Sequence, residues 1–273
     1  MSVEAPLALD DAEIAEAPEA RPETPIPDDS LLPLLQAEFA LRQRDFDQGL
    51  ALLSEQAVLL EDPALARRAL RLAEFVNDTD RAAMMAVRLV ELDSDDGAAA
   101  AAASGWLSRA GRPVDAVYYA KLAFEQGHPV NVATNLGTYD ALDEGSQLAI
   151  AEAIRAIAAQ WPEDDQAAIA ASLLSRLEGD FKQAASFIVP VLERSPENIR
   201  AVMLWTQLML DQGASNPFEV LASAVSRYPD NQELRLQFAR LLGSEGDYAG
   251  ARAQFFLLLE RDAENAELLS TAA

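Results

Sequence analysis

A glycine or asparagine returns every 33 or 34 residues along this 273-residue chain, at Asn77, Gly111, Gly145, Gly179, Gly213 and Gly246. One further step back lands on Arg44, the member that breaks the type. Self-similarity at such a period restricts the chain to a stack of like units. Each unit is too small to bury its apolar face alone and is stable only against its neighbours. A single-core fold has no reason to space its turns evenly.

With the recurrent residue at position 15 of a 34-residue unit, position 8 holds Ala37, Leu70, Ser104, Thr138, Ser172, Thr206 and Ala239. Position 20 holds Gly49, Ala82, Ala116, Ile150, Ala184, Phe218 and Ala251. Small residues dominate both, as two helices crossing at close range require. The turn between them reads Gly179-Asp180-Phe181 and Gly246-Asp247-Tyr248 in its cleanest copies. Glycine ends the first helix in the left-handed conformation and aspartate caps the second. Near position 32, Pro63, Pro129, Pro162, Pro196 and Pro229 stop the second helix.

This small-Gly-aromatic-small-Pro skeleton resembles the tetratricopeptide repeat, a 34-residue helix-turn-helix hairpin. The likeness runs over 31–262 in about seven units and is poorest at position 4, where the family often has Trp and this chain has none. It implies an all-α solenoid, a right-handed superhelix whose first helices line the concave side. Longer-period helical solenoids are excluded by the spacing, and ankyrin repeats by the missing Thr-Pro-Leu-His-type turn. One unit departs from the pattern. Its first helix reads Asn131-Val132-Ala133-Thr134-Asn135-Leu136-Gly137-Thr138-Tyr139, poor helix formers that predict a short or distorted helix. Pro190 predicts a kink in the next second helix, whereas Pro113 and Pro217 fall near helix starts, where proline is tolerated.

Residues 1–30 differ in kind. Nine carboxylates stand against Arg21, with Pro6, Pro18, Pro22, Pro25 and Pro27 and no aromatic residue, which predicts a disordered acidic tether. It lacks the basic start and apolar core of a signal peptide. At the other end, 263–273 reads as the start of a further first helix or a short cap, and a longer array is the favoured expectation. No run of 18 apolar residues occurs, so no membrane insertion by this segment is expected. The formal net charge of −24 repels nucleic acid and anionic surfaces.

The residues offer little chemistry. The chain has no Cys, and His128 is its one histidine, which excludes histidine triads and two-histidine metal sites. His128 reads as a cap or solvated turn before Pro129. Glu163-Asp164-Asp165 reads as solvated charge, and the glycines as turn residues rather than a phosphate loop. Trp106, Trp161 and Trp205 occupy unrelated repeat positions and read as packing residues. No catalytic group, metal or cofactor is expected.

The resemblance also implies groove-facing slots near positions 2, 5, 9, 12 and 13 of each first helix. Seven of those slots hold arginine: Arg42, Arg67, Arg71, Arg109, Arg176, Arg200 and Arg240. Five are acidic: Glu38, Glu74, Asp143, Asp211 and Glu233. A net-positive groove in so acidic a chain predicts capture of an extended acidic segment or a C-terminal carboxylate, which arginine's planar fork suits. The segments 35–41 and 62–69 further resemble tetratricopeptide lipoproteins of proteobacterial envelopes. Some of these partner a periplasmic C-terminal processing protease and deliver substrates to it. That likeness implies a non-enzymatic, periplasmic adaptor, while a cytoplasmic co-chaperone, an assembly factor or the regulatory array of a larger enzyme stay open.

Overall fold

The computed structural model describes residues 26–260; the expectations for 1–25 and 263–273 fall outside them. The described residues form thirteen α-helices and two short 3₁₀ segments, with no strand. Two hairpins open the stack: α1 (Asp28–Arg42) with α2 (Phe46–Leu59), and α3 (Pro63–Val76) with α4 (Thr79–Leu92). The third pairs α5 (Gly97–Arg109) with α6 (Pro113–Glu125). The fourth unit has 3₁₀ segments at Val132–Leu136 and Tyr139–Ala141 before α7 (Glu144–Gln160). Three more hairpins follow: α8 (Asp165–Leu177) with α9 (Phe181–Arg194), α10 (Ile199–Asp211) with α11 (Glu219–Arg227), and α12 (Gln232–Ser244) with α13 (Tyr248–Leu259). Each helix packs on its chain neighbours, and α8 also touches α10, so the stack is an all-α, TPR-like solenoid. α1 begins inside the stretch expected as tether.

The repeat residues do what their chemistry predicts. Ala37, Ser104, Ser172, Thr206 and Ala239 at position 8 are buried, as are Gly49, Ala82, Ala116, Ile150, Ala184 and Ala251 at position 20. The two positions meet: the Ser172 hydroxyl donates to the Ala184 carbonyl at 2.8 Å. At Gly49 a β-carbon would lie 2.5 Å from the Leu41 side chain and 3.6 Å from the Ala37 carbonyl oxygen, so a larger residue there would displace Leu41. The alanine run of α5 works likewise, with Ala99, Ala100 and Ala103 buried between α4 and α6.

Left-handed backbone occurs at Arg44, Asn77, Gly111, Gly179, Gly213 and Gly246, so the periodic series is a series of helix-ending turns. Gly145 is the exception and corrects the expectation. α7 starts one residue before it, so the glycine sits in the first turn of a helix. The cause lies upstream. Asn131, Thr134, Asn135, Gly137 and Thr138 cannot sustain an α-helix, and the chain there forms 3₁₀ turns that bury Val132, Leu136 and Tyr139. The shorter first arm lets α7 begin early and run to 17 residues. Gln147 secures it to the turn by donating to the Tyr139 carbonyl at 2.9 Å.

The apolar core is continuous along the stack because a few side chains belong to two adjoining clusters. Val130 bridges the first three hairpins to the fourth unit, and Leu173 and Leu192 carry the contact onward to α10–α13. Leu50, Leu53, Met85, Leu107, Ile154 and Leu208 are fully buried within it, each stabilising by about 1.5–3 kcal/mol. Pro113 opens α6, while Pro190 lies inside α9, which continues through it. No helix of the described residues is long and apolar enough to cross a membrane.

Candidate functional site: the face of the first helices

The inferred groove slots of neighbouring units touch one another, which places them on one face. Arg176 of α8 pairs with Asp211 of α10 at 2.6 Å, and Arg200 of α10 donates to the Gln166 amide oxygen of α8 at 3.0 Å. Between α3 and α5, Glu74 accepts from the Trp106 indole at 3.1 Å, and the Arg109 guanidinium lies over that indole ring at 4.6 Å. Arg67 reaches Asp96, the cap of α5, at 3.0 Å. Glu38 of α1 is held by Arg68 of α3, whose hydrogen bond pulls its carboxyl below the usual range against the opposing effect of burial. Arg42 adds to that pull through space.

These contacts revise the arginine-lined groove. Arg67, Arg176 and Arg200 already bind neighbouring first helices or their caps, and Arg109 stacks on Trp106 of its own helix. Arg42 and Arg240 are exposed on α1 and α12, and Arg71 is exposed with no hydrogen bond or ion pair to another described residue. Part of the slot charge therefore acts first as a ladder between units. Arg71, one turn from Arg67, is a slot arginine whose guanidinium donors meet no other described residue. Asp143 leaves the groove altogether: it caps α7, accepting from the Ser146 backbone at 3.0 Å and from its hydroxyl at 2.7 Å. The Ser146 hydroxyl, then its amide, holds that carboxyl below the ordinary aspartate value.

The remaining candidates have structural explanations. His128 is exposed, its Nδ1 3.0 Å from the Gln126 carbonyl oxygen. Asp164 caps α8, and Asp165 bonds Arg194 at the end of α9 and Ser195 just past it, so this carboxylate run holds a hairpin. Trp161 packs on Phe124, and Trp205 is half-buried beside the α8–α10 core.

Sequence reading missed how far aspartate capping extends. Asp45, Asp62, Asp78, Asp96, Asp143, Asp164, Asp180 and Asp247 each accept from a backbone amide at a helix start, and Asn198 and Asn231 do the same. Part of the large negative charge is thus helix capping. An Asp or Asn just before each periodic helical segment was the available signal.

On the second-helix side, a depression of about 610 Å³ lies over α2, α4 and α6. Val58, Met84, Val87 and Tyr119 line it. Its rim charges are largely committed: Arg88 pairs with Glu91 and donates to the Ala57 carbonyl, and Arg112 pairs with Asp115.

No family model matches the chain. A curated TPR repeat-containing protein of Pseudomonas aeruginosa is 25% identical over 214 residues, 78% of this chain and 36% of that protein. The chain thus spans about a third of its relative. That similarity supports the tetratricopeptide reading of the repeats. Among solved structures, PilW, a widely conserved type IV pilus biogenesis factor, is similar with TM-score 0.45 and 14% identity, over 76% of this chain and 97% of PilW. A tetratricopeptide repeat protein from Parabacteroides merdae has TM-score 0.48 and 7% identity, over 89% of this chain and 97% of its own.

Proposed function

We propose that this chain is a non-enzymatic adaptor that holds a protein partner on the face of its first helices. The observation that carries the reading is the stack itself. Hairpins in register align side chains of α8, α10 and their neighbours into one extended surface, the kind used to bind other proteins. The partner segment is acidic and extended, or ends in a carboxylate. It docks over α1 to α5, where Arg71 has donors that meet no other described residue, Arg67 is exposed one turn away and Arg109 is exposed on α5. Arginine pairs there gain little individually but act together and are screened by salt.

The location proposed is the periplasmic side of a bacterial envelope, and the task is presenting a partner, for instance to a processing protease. The lipoprotein-like segments 35–41 and 62–69 support this, and the similarity to a Pseudomonas aeruginosa repeat protein supports a bacterial setting. Affinity capture with the full chain from separate envelope and cytosolic extracts, read by mass spectrometry, tests it. Enrichment of a periplasmic protease or its substrates is the expected result. Enrichment of cytosolic chaperones alone would replace the envelope reading by the co-chaperone.

A further inference from the structure

Helix α1 is apolar on two opposite sides. Ser30, Ala37 and Ala40 are buried, with Leu34 and Leu41 packed against the core, and at about 100° per residue these fall within about 60° of Ala37. Directly opposite stand Leu31, Leu32, Leu35 and Phe39, which are 49%, 62%, 58% and 64% exposed. Asp28 and Arg42, both exposed, lie on that same outer side at the two ends of the helix. Among the described residues α1 packs chiefly on α2, and its second apolar side is uncovered.

The outer stripe is self-complementary. In an antiparallel pair of α1 helices with its dyad at Leu35, residue 31 faces residue 39 of the other copy, and residue 28 faces residue 42. Leu35 then meets Leu35, Leu31 meets Phe39 at both ends, and each Asp28 carboxylate meets an Arg42 guanidinium. A shift by one residue one way loses the charge match. The other way it sets Leu32 against Phe39 and Asp29 against Arg42 but gives up the Leu35–Leu35 and Leu31–Phe39 contacts. We propose that α1 is a homotypic docking face through which two copies of this chain pair antiparallel about Leu35. A pair of 15-residue helices buries much less than the ~800 Å² per partner of a standard stable interface, so the dimer is weak and concentration-dependent.

The absence of cysteine from the chain makes the register directly measurable. Sedimentation velocity of the full chain from about 5 μM to about 500 μM should show a monomer becoming a dimer, as mass action requires. Leu35→Glu sets two carboxylates on the dyad and should keep the chain monomeric throughout, with unchanged far-UV circular dichroism because Leu35 is exposed. Under mild oxidation Leu35→Cys chains should crosslink to themselves. A mixture of Leu31→Cys and Phe39→Cys chains should give the mixed disulfide at least ten-fold faster than either gives its own. In the proposed pair two copies of residue 31 lie about 12 Å apart along the axis, beyond disulfide reach. A wild-type chain that stays monomeric at the highest concentration overturns the pairing and leaves the stripe to another protein or to the residues before Ile26. Association unaffected by Leu35→Glu, or Leu31→Cys chains that crosslink with themselves as readily as with Phe39→Cys chains, overturns it too.

Discussion

Gly179 and Gly145 occupy the same repeat position, and alanine should act on them in opposite directions. Gly179 joins α8 to α9 at φ 81°, and a β-carbon there would meet nothing within 4 Å. The cost of Gly179→Ala is therefore conformational. An L-residue in the left-handed region costs about 1–2 kcal/mol, and loss of glycine's unfolded-state entropy returns about 0.5–1 kcal/mol. A net destabilisation of about 1 kcal/mol is expected. Gly145 sits in the first turn of α7 with ordinary helical backbone. Alanine gains up to about 1 kcal/mol of helix propensity there, reduced by one contact of 3.2 Å with the Asp143 carboxylate. Gly145→Ala should be neutral to stabilising. Repeat stacks unfold in parts, so native-state hydrogen exchange of α8–α9 and of α7 should be read beside the urea midpoint. Protection should fall about five-fold around Gly179 in its variant and hold or rise in α7 in the other. Equal losses at both sites would refute the assignment of Gly145 to a helix.

Arg44 takes the left-handed turn without being glycine, at φ 62°. Arg44→Gly should raise the urea midpoint of the first hairpin by the equivalent of about 0.5–1 kcal/mol. Asn135 is 1% exposed, and neither side-chain amide atom has a hydrogen-bond partner among the described residues. Asn135→Leu should stabilise the fourth unit by about 1 kcal/mol in equilibrium unfolding, and a loss would show that the amide has a use. Asp78 caps α4, and although burial pushes its carboxyl up, the Arg81 amide and guanidinium outweigh that and hold it below the ordinary 3.8. Asp78→Ala should cost about 1 kcal/mol at pH 7. A depressed carboxylate stabilises above its unfolded pKa, and that contribution disappears as pH falls through the folded one. The gap between wild type and variant should thus narrow below about pH 4, and a gap that widened there would contradict the ion pair.

Much of the fold was legible because the repeat enforces it. Small residues at positions 8 and 20 and a left-handed residue between them leave few alternatives once most of seven copies agree. Asn131 to Thr138 announced their own irregularity through propensity. What they could not announce is its consequence, the early start of α7, because a helix boundary depends on what the preceding arm leaves uncovered. The binding face was less legible. The slots fell on a shared face, yet whether Arg176 serves a ligand or Asp211 depends on a distance of 2.6 Å between helices 35 residues apart. Residue type alone carries no such distance. The exposed stripe of α1 was equally hidden, since Leu31, Leu35 and Phe39 look like core until Ala37 and Ala40 are seen to fill that role.

The claim that the first-helix face carries the partner is tested most directly by repeating the capture with Arg67 and Arg71 both replaced by glutamine. Helicity should be unchanged, because both side chains are exposed and the lost bond to Asp96 is a surface pair. The account predicts that proteins retained by the wild-type chain at low salt are released or strongly depleted with the variant. Retention of the same proteins in the same amounts would contradict it and move the binding surface elsewhere on the solenoid.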